Sequence, residues 1–170
     1  MKNDQTVSSP TEKLILVDKS DRKIGQITKQ DAHQGKGRLH RAFSIFLFND
    51  QKQLLLQKRS LKKPLWPGFW ANSCCSHPRV GEELEEAVHR RLEQELNVST
   101  VVHYLYKFEY KASFKDVGTE HELCSVWLGH VREEDIEFNR EEISDIKYVP
   151  IENMEKELAR NSDIYTPWLK

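Results

Sequence analysis

No run of apolar residues in this chain approaches the ~20 needed to cross a bilayer, so no membrane-spanning helix and no membrane partner are expected. Cysteine is scarce: Cys74, Cys75 and Cys124 are the three present. They are too few and too irregularly spaced for a disulfide framework, which points to free thiols and a cytoplasmic location. Neither an HExxH pair nor a CxxC knuckle occurs, so no common zinc signature marks a site. Glycine and proline are sparse, at seven and six, and there is no repeat, low-complexity segment or linker. The 170 residues therefore fit one domain, 1–170, with a sizeable core. Met1 to Pro10 is polar and lacks the apolar centre of a secretory leader, and it is expected to be a flexible tail.

The net charge of −1 conceals an asymmetry. Residues 11–63 carry 13 Lys and Arg against 5 Asp and Glu, whereas residues 132–163 carry 5 against 11. The basic half could hold a small anion, although most such charges are solvated surface. A monomer acting on a small molecule is expected, with no nucleic-acid partner.

Lys13–Asp18 reads as a short strand. Arg41–Phe48 and Gln53–Lys58 read as a hairpin across a turn at 49–52. Residues 29–39 read as a loop with at most one helical turn, and Leu61–Pro78, rich in Pro, Trp and small residues, as an ordered loop. Glu82–Leu96 has helical composition. Val101–Ala112 alternates, with Val102, Tyr104, Tyr106, Phe108 and Tyr110 on one face, as a half-buried strand does. Glu120–His130 and Asp145–Val149 complete the strands, and Pro150 is placed to open a helix through Leu158. The class is α+β with a mixed sheet.

Several charges fall where apolar residues belong. On the helix, Leu84, Val88, Leu92 and Leu96 form a stripe, and Arg91 and Glu95 fall inside it. Charged residues are rarely buried unless paired or metal-bound. Either an Arg91–Glu95 ion pair at i, i+4 spacing or a ligand-binding carboxylate accounts for them. On the strand, Glu120 and Glu122 share the face of Cys124, Val126 and Leu128. Adjacent carboxylates on an inward face need a cation or a proton between them, unless that strand end is open to water. His33, His40 and His77 sit in or beside loops. With two carboxylates they would make a nitrogen and oxygen set suited to Zn²⁺, Mn²⁺ or Fe²⁺, while His89, His103 and His130 read as surface or edge residues. Cys75, two residues from His77, is a candidate nucleophile or acid–base thiol, with an inert buried thiol or a structural zinc ligand as the competing readings.

The run 66–78, WPGFWANSCCSHP, closely resembles the signature loop of type 1 isopentenyl diphosphate isomerases, and so does 38–44, RLHRAFS. Glu120-His121-Glu122 resembles that family's Glu-x-Glu, and Thr166-Pro167-Trp168 its late Pro-Trp. The resemblance implies a Nudix-like fold, a mixed sheet sandwiched between helices. The Nudix box would run from Ser76 to Val98. It keeps Glu82, Arg90, Leu92, Glu95 and Val98, but has Ser76, Arg91, Gln94 and Asn97 where a hydrolase has Gly, Glu, Glu and Gly. Loss of two glutamates argues against the alternative, a Nudix-type diphosphohydrolase.

The resemblance also implies roles. His33, His40, His77, Glu120 and Glu122 would bind a divalent metal (Mn²⁺ or Zn²⁺). Glu95 and the main chain of Cys75 would hold Mg²⁺ on the substrate diphosphate. Lys29, Arg59, Lys63 and Arg91 would contact that diphosphate, as Arg forks and Lys ammonium groups suit. Cys75 and Glu122, aided by Tyr110, would be the acid–base pair, with the face of Trp168 beside a carbocation. The implied substrate is a prenyl diphosphate, isopentenyl or dimethylallyl, in isoprenoid biosynthesis. The second thiol, Cys74, is a candidate to oxidise with Cys75.

Overall fold

The computed structural model describes residues 6–170. Among the described residues, nine strands form one mixed sheet around β3 (His40–Phe48). Residues Lys13–Val17 (β1) and Lys23–Thr28 (β2) make an antiparallel hairpin, followed by the single-turn helix α1 (Lys29–His33). Next come β4 (Gln53–Arg59), the short strands β5 (Trp70–Ala71) and β6 (Cys74–Ser76), and helix α2 (Leu84–Leu96). The long pair β7 (Val102–Phe114) and β8 (Gly118–His130), then β9 (Ile143–Pro150) and helix α3 (Met154–Arg160), complete the chain. β3 runs parallel to β8, from His40 opposite Glu122 to Phe48 opposite His130. The other ladders are antiparallel.

Period-two alternation makes this sheet the centre of a sandwich. From β3 and β4, Phe43, Ile45, Leu47 and Leu55 face one side, where Val88, Leu92 and Leu96 of α2 cover them. Phe46, Phe48, Leu54 and Leu56 face the other side, packed with Met154, Leu158 and Tyr165. A buried Leu or Phe contributes about 1.5–3 kcal/mol, so these two layers carry much of the fold.

Helix α2 starts two residues later than its composition suggests. Glu83 is the N-cap, and a capping box with Glu86 satisfies the first backbone N–H groups. It ends at Asn97, which adopts φ 55° in the left-handed region. Asn tolerates that conformation in the position where a hydrolase box has Gly.

Other expectations need correcting. The segment 61–78 is not all loop: it contains β5 and β6. Ser73 Oγ accepts from Leu47 N–H at 2.8 Å and donates to Leu55 C=O at 2.7 Å, fastening the segment to β3 and β4. On β7, Tyr104 and Tyr106 are 48% and 54% exposed. A bulge at Leu105 shifts the register there, putting Val102 and Tyr104 on the face opposite to Tyr106, Phe108 and Tyr110. Pro150 closes β9, and a 3₁₀ turn, Ile151–Asn153, precedes α3.

Of the expected flexible tail, residues 1–5 lie outside the described residues, and the rest is fastened down. Val7 N–H donates to Glu142 at 3.2 Å, its carbonyl accepts from Arg91 at 3.0 Å, and Ser8 Oγ accepts from Lys29 at 3.2 Å.

Candidate active site

Beside β3 the fold leaves a cavity of about 570 Å³, lined by residues far apart in sequence. Lys29, His33, Arg59, Lys63, Cys75, His77, Tyr110, Glu120, Glu122 and Trp168 all line it. His40, Arg91 and Glu95 stand behind that lining and are buried.

The three histidines arrive on different elements: His33 at the end of α1, His40 at the start of β3, and His77 just after β6. Their ring centroids lie 4.9–5.6 Å apart. With a Glu122 oxygen, their ligand atoms fall within 4.8 Å of one another. Main-chain carbonyls set the rings: Lys29 C=O lies 2.6 Å from His33 Nδ1, and Arg38 C=O lies 2.7 Å from His40 Nδ1. Such carbonyls fix the Nδ1–H tautomer and leave Nε2 free to ligate. His40 Nε2 and His77 Nδ1 are buried with no hydrogen-bond partner among the described residues, a costly arrangement that a ligated ion relieves.

The electrostatics suit a cation. Burial, and then the neighbouring His40, lowers His33 to about 4, and burial holds His77 well below the usual range. Both imidazoles are therefore neutral, as ligands must be. Burial alone would raise Glu122, but the neighbouring His40 and His77, the latter with Nε2 2.9 Å from Glu122 Oε1, hold it well below the usual carboxylate range. The residues present thus fit one divalent ion. Glu120, the fifth expected ligand, stands outside the tight group. Burial and then the Glu122 charge push it to about 8. Tyr110 joins the two carboxylates, its hydroxyl lying 2.9 Å from Glu120 Oε2 and 2.6 Å from Glu122 Oε2.

Cys75 reaches the cavity from β6, on the other side of β3 from Glu122 on β8. Burial pushes its thiol up to about 12, so it is protonated at neutral pH; Ser44 pulls in the opposite direction. Cys74 points the other way, into the core beneath α2. The suggested oxidation of Cys74 with Cys75 is therefore disfavoured: neighbours on a strand face opposite sides of the sheet.

At the basic end, Lys29, Lys63 and Arg91 converge. Burial, then the Lys63 and Arg91 charges, lowers Lys29 to about 8. Arg91 and Glu95 form the buried ion pair, with Arg91 Nε 3.0 Å from Glu95 Oε1. Lys63 is bonded to Glu142, and Arg91 lies 3.7 Å from the same carboxylate. The sequence reading missed Glu142 because it sits in an acidic stretch that looks like solvated surface. Its near-complete burial gives it a structural part. The box residues Glu82 and Arg90 pair with each other, and Arg90 reaches His77 C=O at 3.4 Å. They brace the loop that carries a metal-ligand candidate.

Trp168 closes the cavity, 5.2 Å from the Trp66 ring and 6.0 Å from that of Tyr110. The Arg59 guanidinium stands 5.4 Å from the Trp168 ring centre and is held by the carbonyls of Leu65 and Trp66. Lys147 and Tyr165 anchor the segment leading to Trp168. Lys147 Nζ lies 4.5 Å from the Trp70 ring centre and bonds Tyr165 Oη at 2.7 Å, and Tyr165 Oη lies 2.6 Å from Glu157.

The NUDIX domain family matches residues 38–169. Isopentenyl-diphosphate Delta-isomerase 1 of Photorhabdus laumondii is 43% identical over 94% of this chain and 91% of its own. The isopentenyl-diphosphate Delta-isomerase of Pectobacterium atrosepticum is 35% identical over 95% and 89%. Among solved structures, DR0079 from Deinococcus radiodurans superposes with a TM-score of 0.72 at 29% identity, over 89% of this chain and 90% of that one. With matches of this identity running almost end to end, the chain belongs to the isopentenyl-diphosphate Delta-isomerase family, built on the NUDIX fold.

Proposed function

We propose that this chain interconverts isopentenyl diphosphate and dimethylallyl diphosphate through acid–base chemistry at Cys75 and Glu122. The observation that carries this reading is one cavity holding a protonated thiol and a tyrosine-bonded carboxylate on strands either side of β3, next to a cluster of cations.

Lys29, Arg59 and Lys63 hold the diphosphate, assisted from behind by Arg91. This remote binding energy orients a five-carbon chain that has no polar handle of its own. One of the two acid–base groups adds a proton to the terminal carbon, and the other removes a proton from C2. The double bond thereby moves with no net change in atoms. The cation formed between these steps would be trapped by water, so a closed cavity is required. The ring of Trp168, already beside a guanidinium, presents a π face able to stabilise such charge by ~2 kcal/mol in a dry site.

His33, His40, His77 and Glu122 would hold a divalent ion, Mn²⁺ or Zn²⁺, and Glu95 a Mg²⁺ at the diphosphate. These ions would supply fixed positive charge beside the reacting chain and its diphosphate end. Tyr110 holds Glu122 in place and is itself kept protonated, since burial and then Glu120 and Glu122 raise it well above the ordinary phenol value.

The test is incubation with isopentenyl diphosphate in D₂O, with Mg²⁺ and Mn²⁺ supplied, followed by NMR and a parallel phosphate assay. Deuterated dimethylallyl diphosphate without phosphate release is the expected result. Phosphate release would instead make the chain a diphosphohydrolase, and unchanged substrate would leave a binding module.

A further inference from the structure

Asn72 connects β5 to β6 and is fully buried. Its Nδ2 donates to Ile45 C=O at 3.0 Å and to Cys74 C=O at 3.1 Å. Both partners are carbonyl oxygens, so the amide nitrogen must face them and Oδ1 must face the opposite way. There Oδ1 accepts the Cys75 S–H at 2.8 Å. Asn72 does not line the cavity, whereas Cys75 does. The thiol hydrogen is therefore drawn into the protein and away from the substrate space. Ser44 Oγ, 3.4 Å from the same sulfur, accepts from Cys124 Sγ at 3.3 Å, and so completes a polar lining around Cys75 on its protein side.

We propose that Asn72 is a positioning residue: its amide oxygen, locked by two bonds to the backbone of β3 and β6, fixes where the Cys75 sulfur and its hydrogen point. This inference rests on the isomerase reading for the step it serves. An unanchored thiol rotates about both Cα–Cβ and Cβ–Sγ, and only part of that range aims the sulfur at a carbon of the substrate. One strong acceptor on the protein side removes this freedom before substrate arrives, which is how a positioned group gains rate. When Cys75 gives up its proton, the hydrogen first turns about Cβ–Sγ from Asn72 Oδ1 toward the cavity, and the S–H bond then breaks as a C–H bond forms, the electron pair staying on sulfur. When it takes a proton, the reverse holds and Oδ1 receives the new S–H. The amide neither gains nor loses a proton, so Asn72 acts through Cys75 in both directions.

The test is the infrared S–H stretch, isolated as the wild-type minus Cys75→Ala difference spectrum of the metal-loaded protein, together with the kinetics of Asn72→Leu. In the wild type the Cys75 band is expected at lower frequency than that of cysteine in water, as a strong hydrogen bond requires. In Asn72→Leu the band moves to the free-thiol position, kcat falls about tenfold or more, and KM and bound metal stay unchanged. A wild-type band at the free-thiol position overturns the proposal, whether or not the variant folds. So does a folded Asn72→Leu with an unmoved band, with kcat within about twofold of wild type, or with the loss falling on KM alone. The band requires no substrate. A wild type that makes no dimethylallyl diphosphate would sink the isomerase reading, while the spectrum would still decide the Asn72–Cys75 contact.

Discussion

Replacing Glu142 by Gln tests whether the basic end of the cavity is held together by charge. Glu142 is buried, bonded to Lys63 and to Val7 N–H, and faces Arg91 at 3.7 Å. Burial alone would raise its pKa, but Lys63 and Arg91 bring it down to about 2, against roughly 4.3 for an unfolded glutamate. At about 1.4 kcal/mol per unit, the ionised side chain contributes about 3 kcal/mol to stability at neutral pH. Because the folded value is the lower one, this contribution is complete above the unfolded pKa. It fades as pH falls from about 4.3 toward 2. Glu142→Gln keeps the shape and one acceptor oxygen but removes the charge. At pH 7 it is expected to unfold about 3 kcal/mol more easily in urea, equivalent to about 6–12 °C in Tm for a chain of this size. As pH falls from about 4.3 the two curves should draw together, meeting at about pH 2. A variant as stable as wild type at pH 7, or a gap that persists unchanged to pH 3, would refute the assignment.

Cys75→Ser is expected to retain fold and bound metal by circular dichroism and metal analysis, while turnover drops about 10²–10⁴-fold; wild-type rates would remove Cys75 from the chemistry. His40→Ala should weaken divalent-metal binding at least about tenfold in a chelator competition, and unchanged affinity would argue against the histidine cluster as the site. Tyr165→Phe, which removes a hydroxyl bonded to Glu157 and Lys147, should cost about 1.5–3 kcal/mol in denaturant unfolding. It should also change the quenching of tryptophan fluorescence as the segment carrying Trp168 loosens, and an unaltered spectrum would mean that this clamp does not position Trp168.

What the sequence revealed follows the range of its signals. Periods of 3.6 and 2 are local, so Arg91 and Glu95 on an apolar stripe and Glu120 and Glu122 on an inward face stood out before any fold was known, and all four are buried. The histidines gathered only through the family resemblance, because they come from three elements that β3 and its neighbours bring together. Glu142, Asn72 and Ser44 were not legible. Glu142 meets Lys63 across 79 residues and Val7 across 135, and no pattern within a window of sequence encodes such a meeting. The β7 alternation misled at Val102 and Tyr104 because a single extra residue, Leu105, puts them on the face opposite to Tyr106, Phe108 and Tyr110.

The adjacent thiols on β6 carry a consequence for substitution experiments and for drift in sequence. On most strands a slip of one residue exchanges an inward side chain for an unlike outward one and destroys the site. Here the residue that would arrive in the cavity is also a cysteine. A rare register-shifted population would present Cys74 Sγ where Cys75 normally stands, at the cost of the Ser73 bridge between β3 and β4. Any turnover left in a Cys75 variant is therefore assigned by removing Cys74 as well.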